Sequence, residues 1–352
     1  MDNLMNKLLY AGLDKAEFDA LRPEAVKETR KSLKGYTLFA AVLFALLAAF
    51  GAFSGIASLN RWYYVILAIF NVVVWLCLEK RGVKGETTLM ALAYATIAVL
   101  YAASIGLTLL HPSLPALTII VVMVLAPFLF TDSPVYVIAL NILATIALCL
   151  LSLNSKPREV ALDDSWNAIS FCMVSIAVTL MQRKQRFRAL AKDRQIRYLS
   201  ETDLMTGARN RNVYERVLER YPKGCKQSLT CVYIDVNGLH NLNNTQGHKS
   251  GDKMLQTVAK ALLEHFGGDH VYRIGGDEFV AFAPDTEEAA VRWDMKRIAD
   301  VLAASGYDIS VGVTHAQAED MDIRRMLTEA EHEMYDQKHL YYQQPGHERR
   351  RR

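Results

Sequence analysis

Arg273-Ile274-Gly275-Gly276-Asp277-Glu278-Phe279 sets two adjacent glycines and two adjacent carboxylates between two short apolar runs. His270 to Ile274 and Phe279 to Ala283 read as strands, so Gly275 to Glu278 read as the turn that joins them. Glycine in such a turn lets the backbone come close to a phosphate, because no Cβ stands in the way. Carboxylates at the same turn are hard oxygen ligands for a divalent cation such as Mg²⁺. An acidic hairpin tip that merely faces water has the same composition, so the turn alone does not decide.

The elements around it carry the argument further. From Ser228 onward the pattern gives a strand (Leu229 to Asp235), a helix (about Ser250 to Phe266), the hairpin, a helix (about Thr286 to Ala304), a strand (Tyr307 to Thr314) and a last helix (about Ile323 to Leu340). The order β-α-β-β-α-β predicts an α+β ferredoxin-like arrangement, in which the end of the first strand lies beside the turn of the central hairpin. Asp235 is therefore predicted to face Asp277 and Glu278. Three carboxylates in one space repel one another unless a cation sits between them. Mg²⁺ prefers carboxylates together with phosphate oxygens and water, which makes a nucleoside triphosphate the natural third component. The chemistry is then metal-assisted phosphoryl transfer. The same topology also serves many non-enzymes, so fold alone does not carry the function.

Upstream of this region the composition changes. The chain has 352 residues and 51% hydrophobic content, enough for two domains. Six apolar segments can be read, at about 37–59, 62–78, 88–110, 113–130, 134–153 and 165–181, and none holds Asp, Glu, Lys or Arg. Spanning the hydrocarbon layer takes roughly 17–25 residues, so a transmembrane bundle of about six helices is predicted. Lys27, Arg30, Lys31 and Lys34 precede the first segment, Lys80, Arg81 and Lys84 follow the second, and Arg183, Lys184, Arg186 and Arg188 follow the sixth. Positive residues prefer the cytoplasmic side, which puts both termini in the cytoplasm and the bundle in the inner membrane. Charge-free spans argue against a transporter, while Asn71 and Asn141 are candidates for hydrogen bonds between helices. Pro115 and Pro127 are expected to kink the fourth span. Six spans exceed what anchoring needs, so the region is read as a sensor whose ligand the sequence does not identify.

Before the first span, Leu4, Met5, Leu8 and Leu9 recur at helical spacing, as in a surface-lying amphipathic segment or one packed on the protein itself. After the sixth, residues 182–201 form a charged helical stretch in which only Ile196 and Leu199 fit a heptad seam. The formal charge of +3 is too small to point to nucleic acid, and the basic tail His347 to Arg352 reads as disordered. Residues 1–34 do not resemble a cleavable leader. The five cysteines show neither a disulfide framework nor a zinc pattern.

Over about residues 203–340 the chain resembles the GGDEF family of diguanylate cyclases, named for the signature at Gly275 to Phe279. Asp203-Leu204-Met205-Thr206-Gly207-Ala208-Arg209-Asn210-Arg211 resembles the family's opening motif Asp-x-Leu-Thr-x-Leu-x-Asn-Arg. Asp235 matches its metal-binding aspartate, and Asn243, Gly247, His248, Gly251 and Asp252 match its Asn-Asp…Gly-His-x-x-Gly-Asp stretch. Ser310-Val311-Gly312-Val313 and Ala330 to Lys338 resemble its closing strand and helix. The resemblance implies that Asp277 is a metal ligand and the general base for the 3′-hydroxyl, and that Glu278 is a second acid at the metal. It implies further metal ligands in Asp235 and the backbone carbonyl of Val236. Gly275 and Gly276 would lie against the phosphates, Lys338 would reach them, and Asn243 with Asp252 would read guanine, Asp252 favouring GTP at both half-sites. His248 belongs to the same substrate-binding stretch.

The departures are specific. His240 stands where much of the family has a lysine, Asn237 replaces the second acid of Asp-x-Asp, and Tyr342 replaces an arginine. The family's product-inhibition motif Arg-x-x-Asp keeps Asp269 but has Phe266 in place of the arginine, so no strong feedback inhibition is expected.

The resulting expectation is a membrane-bound diguanylate cyclase that condenses two GTP into cyclic di-GMP with Mg²⁺ or Mn²⁺. It would act as a homodimer through the cyclase domain and linker. Its parts would be a cytoplasmic N-terminal segment (1–34), the membrane region (35–181), a helical linker (182–202), the cyclase domain (203–343) and a basic tail (344–352). Two rivals are a GTP-binding module without turnover and a membrane receptor or transporter with a regulatory soluble domain.

Overall fold

A computed structural model of the chain describes residues 2–53, 60–80, 83 and 85–344. Arg81, Lys84, residues 54–59 of the first expected span and residues 345–352 of the basic tail lie outside the described residues, as does the side chain of Leu4. The chain divides into two compact units, Met1–Asp193 and Arg194–Arg352.

The first unit is helical: α1 (Asp2–Leu9), α2 (Lys15–Phe53), α3 (Arg61–Glu79), α4 (Glu86–Leu109), α5 (Leu117–Leu125), α6 (Pro134–Ser155) and most of α7 (Arg158–Glu201). Leu89, Ala93 and Ile97 recur every four residues on α4 and are fully buried against Ile119 and Met123 of α5 and Val137 and Leu148 of α6. The outer surface is apolar too. Phe39 and Leu46 of α2, Ile66 of α3 and Leu143 and Leu150 of α6 are all exposed. An outer surface so apolar suits a bilayer and would be a liability in water.

Among the described residues, five helices (α2, α3, α4, α6 and α7) are long and apolar enough to cross a membrane. The fourth expected span is different. Its helical part is the nine residues of α5 and a 3₁₀ turn at Ala126–Phe128, shorter than the roughly 17 residues of a continuous helical crossing. Pro115 precedes the helix and Pro127 lies in its closing turn, so the two prolines bound a short helix instead of kinking a long one.

Asn141 donates to Ser175 Oγ at 2.6 Å and accepts from the Tyr101 hydroxyl, while Ser175 donates to the Met123 carbonyl at 2.6 Å. This buried chain ties α4, α5, α6 and α7 together, as polar residues do between membrane helices. Asn71 behaves otherwise than expected: its amide bonds the Leu67 carbonyl of its own helix.

Ionisable groups are buried at the ends of the apolar stretches, not within them. Lys156 and Asp164 form an ion pair at 2.7 Å whose side chains are both 0% exposed. Lys156 also bonds the Leu114 carbonyl, and Asp164 accepts from the Ala116 amide and the Ser152 hydroxyl. At the other end Arg183 is buried with its guanidinium over the Phe130 ring. Phe18 stacks near Phe187 at 4.7 Å within a cluster that includes Leu21, Ala25 and Leu190. The first turns after the last apolar stretch, through Leu190, are thus packed on α2. Ile196 and Leu199 are exposed. α7 contains neither Gly nor Pro, so its backbone ladder runs without a break across 44 residues. On α1, Met5 is exposed, and Ser133 at the start of α6 donates to the Leu9 carbonyl, so the segment docks on its own unit.

The second unit is a five-stranded mixed sheet in the order β1-β3-β4-β2-β5. Its elements are β1 (Arg209–Asn210), α8 (Arg211–Val217), α9 (Tyr221–Gly224), β2 (Ser228–Val236), α10 (Leu239–Gln246), α11 (His248–Phe266), β3 (Val271–Arg273), β4 (Glu278–Pro284), α12 (Glu288–Ala304), β5 (Ile309–Gln317) and α13 (Ile323–Gln343). β2 pairs antiparallel with β4 on one side and β5 on the other. Val232, Ile234 and Val236 join the core under α11 and α12, whereas Leu229, Cys231 and Tyr233 join the core under α13. That two-residue alternation explains why every residue of β2 is buried. Gly312 is required on β5, because a Cβ there would lie 1.8 Å from the Ala330 carbonyl oxygen of α13. Close packing at that point sets how α13 delivers Lys338 to the end of β2.

Candidate active site

The register of β2 and β4 sets Asp235 directly opposite Glu278. Residues so opposed point to the same face of a sheet with Cβ atoms about 4.5–5.5 Å apart. The Val236 amide donates to the Asp277 carbonyl at 2.9 Å, which fixes the turn against the end of β2. Asp235 is 1% exposed, and the Lys338 ammonium lies 2.5 Å from its Oδ2. Burial first, and then the charges of Asp277, Asp235 and Glu331, push the Glu278 carboxyl above the ordinary carboxylate range, with Lys338 opposing them. Glu331, which contributes to this field from α13, lies in the Ala330 to Lys338 stretch that resembles the family's closing helix, but the sequence pattern gave it no role.

Gly275 stands close to Glu278: a Cβ there would lie 2.5 Å from Glu278 Oε2. A Cβ at Gly276 would meet nothing within 4 Å, so its space is open. Arg273 donates to the Gly276 carbonyl at 2.6 Å and to Asp203 at 3.1 Å, tying the turn to the opening segment of the unit. Burial alone would raise the Asp203 pKa, but the Thr206 hydroxyl and the Arg273 guanidinium outweigh it and hold the carboxyl below its usual value.

Among the described residues no three His, Cys, Asp or Glu side chains come close enough to hold a metal by themselves. The donor set still fits a hard cation. Hard oxygens crowd one end of the sheet, their mutual repulsion raises a pKa, and an ammonium is drawn onto the most buried of them. Mg²⁺ would need only one or two of these carboxylates, with phosphate oxygens and water completing its shell.

Comparison with known proteins gives the decisive observation. Residues 200–343 match the family described as diguanylate cyclase, GGDEF domain.

Residues 200–343 are a GGDEF domain.

Over 105 residues the chain is 32% identical to the cyclic di-GMP phosphodiesterase PdeR of Escherichia coli (strain K12), covering 29% of this chain and 16% of that protein. Over 146 residues it is 27% identical to the diguanylate cyclase DosC of the same organism, covering 38% of this chain and 32% of that one. A third relative reaches beyond the GGDEF domain. It is an uncharacterized membrane protein, SH2145, of Staphylococcus haemolyticus, 27% identical over 254 residues, 70% of this chain and 67% of that one.

Within the GGDEF domain, Asn243 lies on α10 and Asp252 on α11, two helices joined at Gly247 with φ +82°. Asn243 Oδ1 is buried with no hydrogen-bond partner among the described residues, and a Cβ at Gly251 would lie 2.0 Å from it. Asp252 and His248 are exposed. His240 is exposed and bonded to the Asn244 amide at 3.0 Å. Tyr342 accepts from the Gly238 amide at 3.3 Å, at the left-handed residue that opens α10. Asn237 is buried and exchanges hydrogen bonds at 2.9 and 3.1 Å with Ser310, the β5 residue paired opposite Asp235, so its side chain is engaged with the sheet. Asp269 is largely exposed and bonded at 2.5 Å to Arg209, whose other arm reaches Glu201 at 3.2 Å. Phe266 packs at the edge of the core. The sequence pattern offered no sign of the Arg209 contact.

Proposed function

We propose that the protein is a membrane-bound diguanylate cyclase, with about six spanning helices followed by a ferredoxin-like GGDEF domain. Leaving out the two-residue β1, the strand order β3-β4-β2-β5 with every pair antiparallel is the one this reading requires. The observation that carries the function is the opposition of Asp235 and Glu278 in a field that raises the Glu278 pKa.

In this reading Asn243 and Asp252 hold the guanine edge: the carboxylate accepts from N1–H and the exocyclic amine, and the amide both donates and accepts. The orphaned Asn243 Oδ1 is suited to that role. Gly275 and Gly276 leave room for the phosphates, with Lys338, His240 and His248 nearby in the substrate-binding set. Asp277 takes the proton of the 3′-hydroxyl, whose oxygen bonds to the α-phosphorus of a second GTP as the bond to pyrophosphate breaks. Two such transfers give cyclic di-GMP and two pyrophosphates, so two domains must face each other in a homodimer. Asp235, the Val236 carbonyl, Asp277 and Glu278 are the groups from which Mg²⁺ or Mn²⁺ would draw its one or two carboxylates and a carbonyl, and the bound ion would neutralise charge on the phosphates. The need for GTP puts this domain in the cytoplasm, with both termini there and the bundle in the inner membrane. We keep the divisions 1–34, 35–181, 182–202, 203–343 and 344–352 for these roles.

The experiment is turnover of GTP to cyclic di-GMP by the full chain, in detergent and in bilayers, with Asp277→Ala as control. Product from the parent and none from the variant supports the reading. No product from a GTP-binding dimer overturns it.

A second reading has its own support. Lys338, expected at the phosphates, is drawn onto Asp235, and Tyr342, which stands where many of the family have an arginine, is engaged with the Gly238 amide. A GTP-binding regulatory module without turnover would look the same, and the assay above separates the two.

A further inference from the structure

A cleft of about 590 Å³ lies at the end of the α2–α3 hairpin, lined by four cations of one helix: Lys27, Arg30, Lys31 and Lys34. Their spacing puts them on one side of α2. The opposite side of that stretch is the packed one, with Ala25, Thr29 and Leu33 buried and Thr29 Oγ1 donating to the Thr131 carbonyl at 3.0 Å. The Arg30 guanidinium donates to the Val83 carbonyl, and Lys34 pairs with Glu79 at the end of α3. Two of the four cations are therefore held across the cleft by the neighbouring helix end. Lys27 and Lys31 are exposed and make no ion pair among the described residues.

The place of the cleft along the helices matters as much as its charge. One turn beyond Lys34 the exposed face of α2 becomes apolar, with Leu38, Phe39 and Val42 uncovered. On α3 the exposed apolar residues Val72, Val73 and Leu76 end just before Glu79. Leu78 and Val83 supply an apolar part of the cleft wall. The cations thus stand where two apolar surfaces stop together. The Phe18–Phe187 cluster binds the same α2 segment to α7 just past its apolar stretch, so this is the end from which the chain leaves for the GGDEF domain.

We propose that this cleft binds the phosphate headgroup of an anionic phospholipid of the cytoplasmic leaflet, with the acyl chains lying along α2 and α3. The inference rests on the reading of this unit as membrane-spanning, and not on the cyclase activity. A basic stretch that served only to orient the chain in the membrane would need neither a cleft nor cross-helix tethers. A soluble phosphate would use the cations but leave the adjoining apolar faces unused.

The test is binding of short-chain phosphatidylglycerol to the purified full-length protein in detergent, with phosphatidylcholine of the same chain length as comparison. Saturable binding of the first and none of the second is expected. Each lysine near a membrane surface is worth about fivefold in affinity, so Lys27→Gln with Lys31→Gln should weaken binding about 25-fold. Lys27→Arg with Lys31→Arg should keep it, as should Arg158→Gln, an exposed position on the far side of the α6–α7 turn. Equal binding of both lipids, or no loss in the double glutamine variant, overturns the proposal. Displacement by inorganic phosphate at matched concentration assigns the cleft to a free anion and overturns it as well. If the variants fail to fold, the parent decides: binding that does not weaken between low and high salt is not ionic and the proposal falls. Turnover is not read in any arm, so failure here is distinct from failure of the cyclase reading.

Discussion

Asp235 and Glu278 face each other across the β2–β4 ladder, and the Lys338 ammonium is hydrogen-bonded to Asp235 and not to its partner. The two carboxylates are thereby made unequal. Asp235 is paired and deeply buried, while Glu278 is left in a field of like charge.

Metal binding should therefore depend on pH through Glu278. Its pKa is raised by burial and then by Asp277, Asp235 and Glu331, and a divalent cation takes only the ionised form. Affinity for Mn²⁺, read by calorimetry with a non-reacting GTP analogue, is expected to rise with pH through that raised value and level off above it. Without metal the sign reverses for stability: the contribution of this group is complete below the ordinary Glu pKa and is lost as the pH rises through the raised one. Glu278→Gln should remove both trends, and an unchanged pH profile in that variant would count against the assignment.

Asp252 should govern which purine is accepted. A hydrogen bond to a charged group is worth about 1.5–3 kcal/mol, so Asp252→Ser should reduce the preference for GTP by roughly ten- to a hundredfold. With equal GTP and ATP, the variant should release mixed cyclic GMP-AMP, which chromatography of the products detects. Products of unchanged composition would show that Asp252 does not read the base.

The Lys156–Asp164 pair offers a stability test in the first unit. Removing one partner of a fully buried pair destabilises by about 3–5 kcal/mol, so Asp164→Asn should lower the melting temperature markedly in detergent. Replacing both, as Lys156→Met with Asp164→Leu, should recover much of the loss. A single variant as stable as the parent would show that the pair is not buried in the membrane-bound protein.

Product feedback should be weak. Phe266 offers no guanidinium beside Asp269, and Arg209 divides its two arms between Asp269 and Glu201. Cyclic di-GMP added to a turnover assay is expected to inhibit little, and Asp269→Ala should not alter the response. Tight inhibition abolished by that substitution would refute this account.

The parts that were legible in the sequence are those with strong periodicity or punctuation. β2 alternates between two cores, and the glycines of the hairpin mark its turn, so the meeting of Asp235 with Glu278 followed from topology. β1 is two residues long, too short for any period, and with it the Arg209–Asp269 contact stayed hidden. The fourth expected span is a shorter helix than its composition suggests, because apolar residues continue through 113–130 while α5 and its closing turn are bounded by the two prolines. α7 was divided for the converse reason: its composition changes near residue 182, but main-chain hydrogen bonds are indifferent to side-chain polarity. The use of Asn237 by Ser310 was out of reach because strand register across 73 residues decides it.

Glu201 bonds Arg209 at 3.2 Å and Arg216 at 2.9 Å, and the Ser200 carbonyl accepts from Asn210 at 2.8 Å. The last turn of α7 is thus part of the GGDEF domain's own fabric, although it precedes the first residue of the Asp203 motif. Anyone excising the domain should cut upstream of Ser200. A fragment begun at Asp203 would strip both arginines of a shared carboxylate, and it would melt earlier than one begun at Arg194.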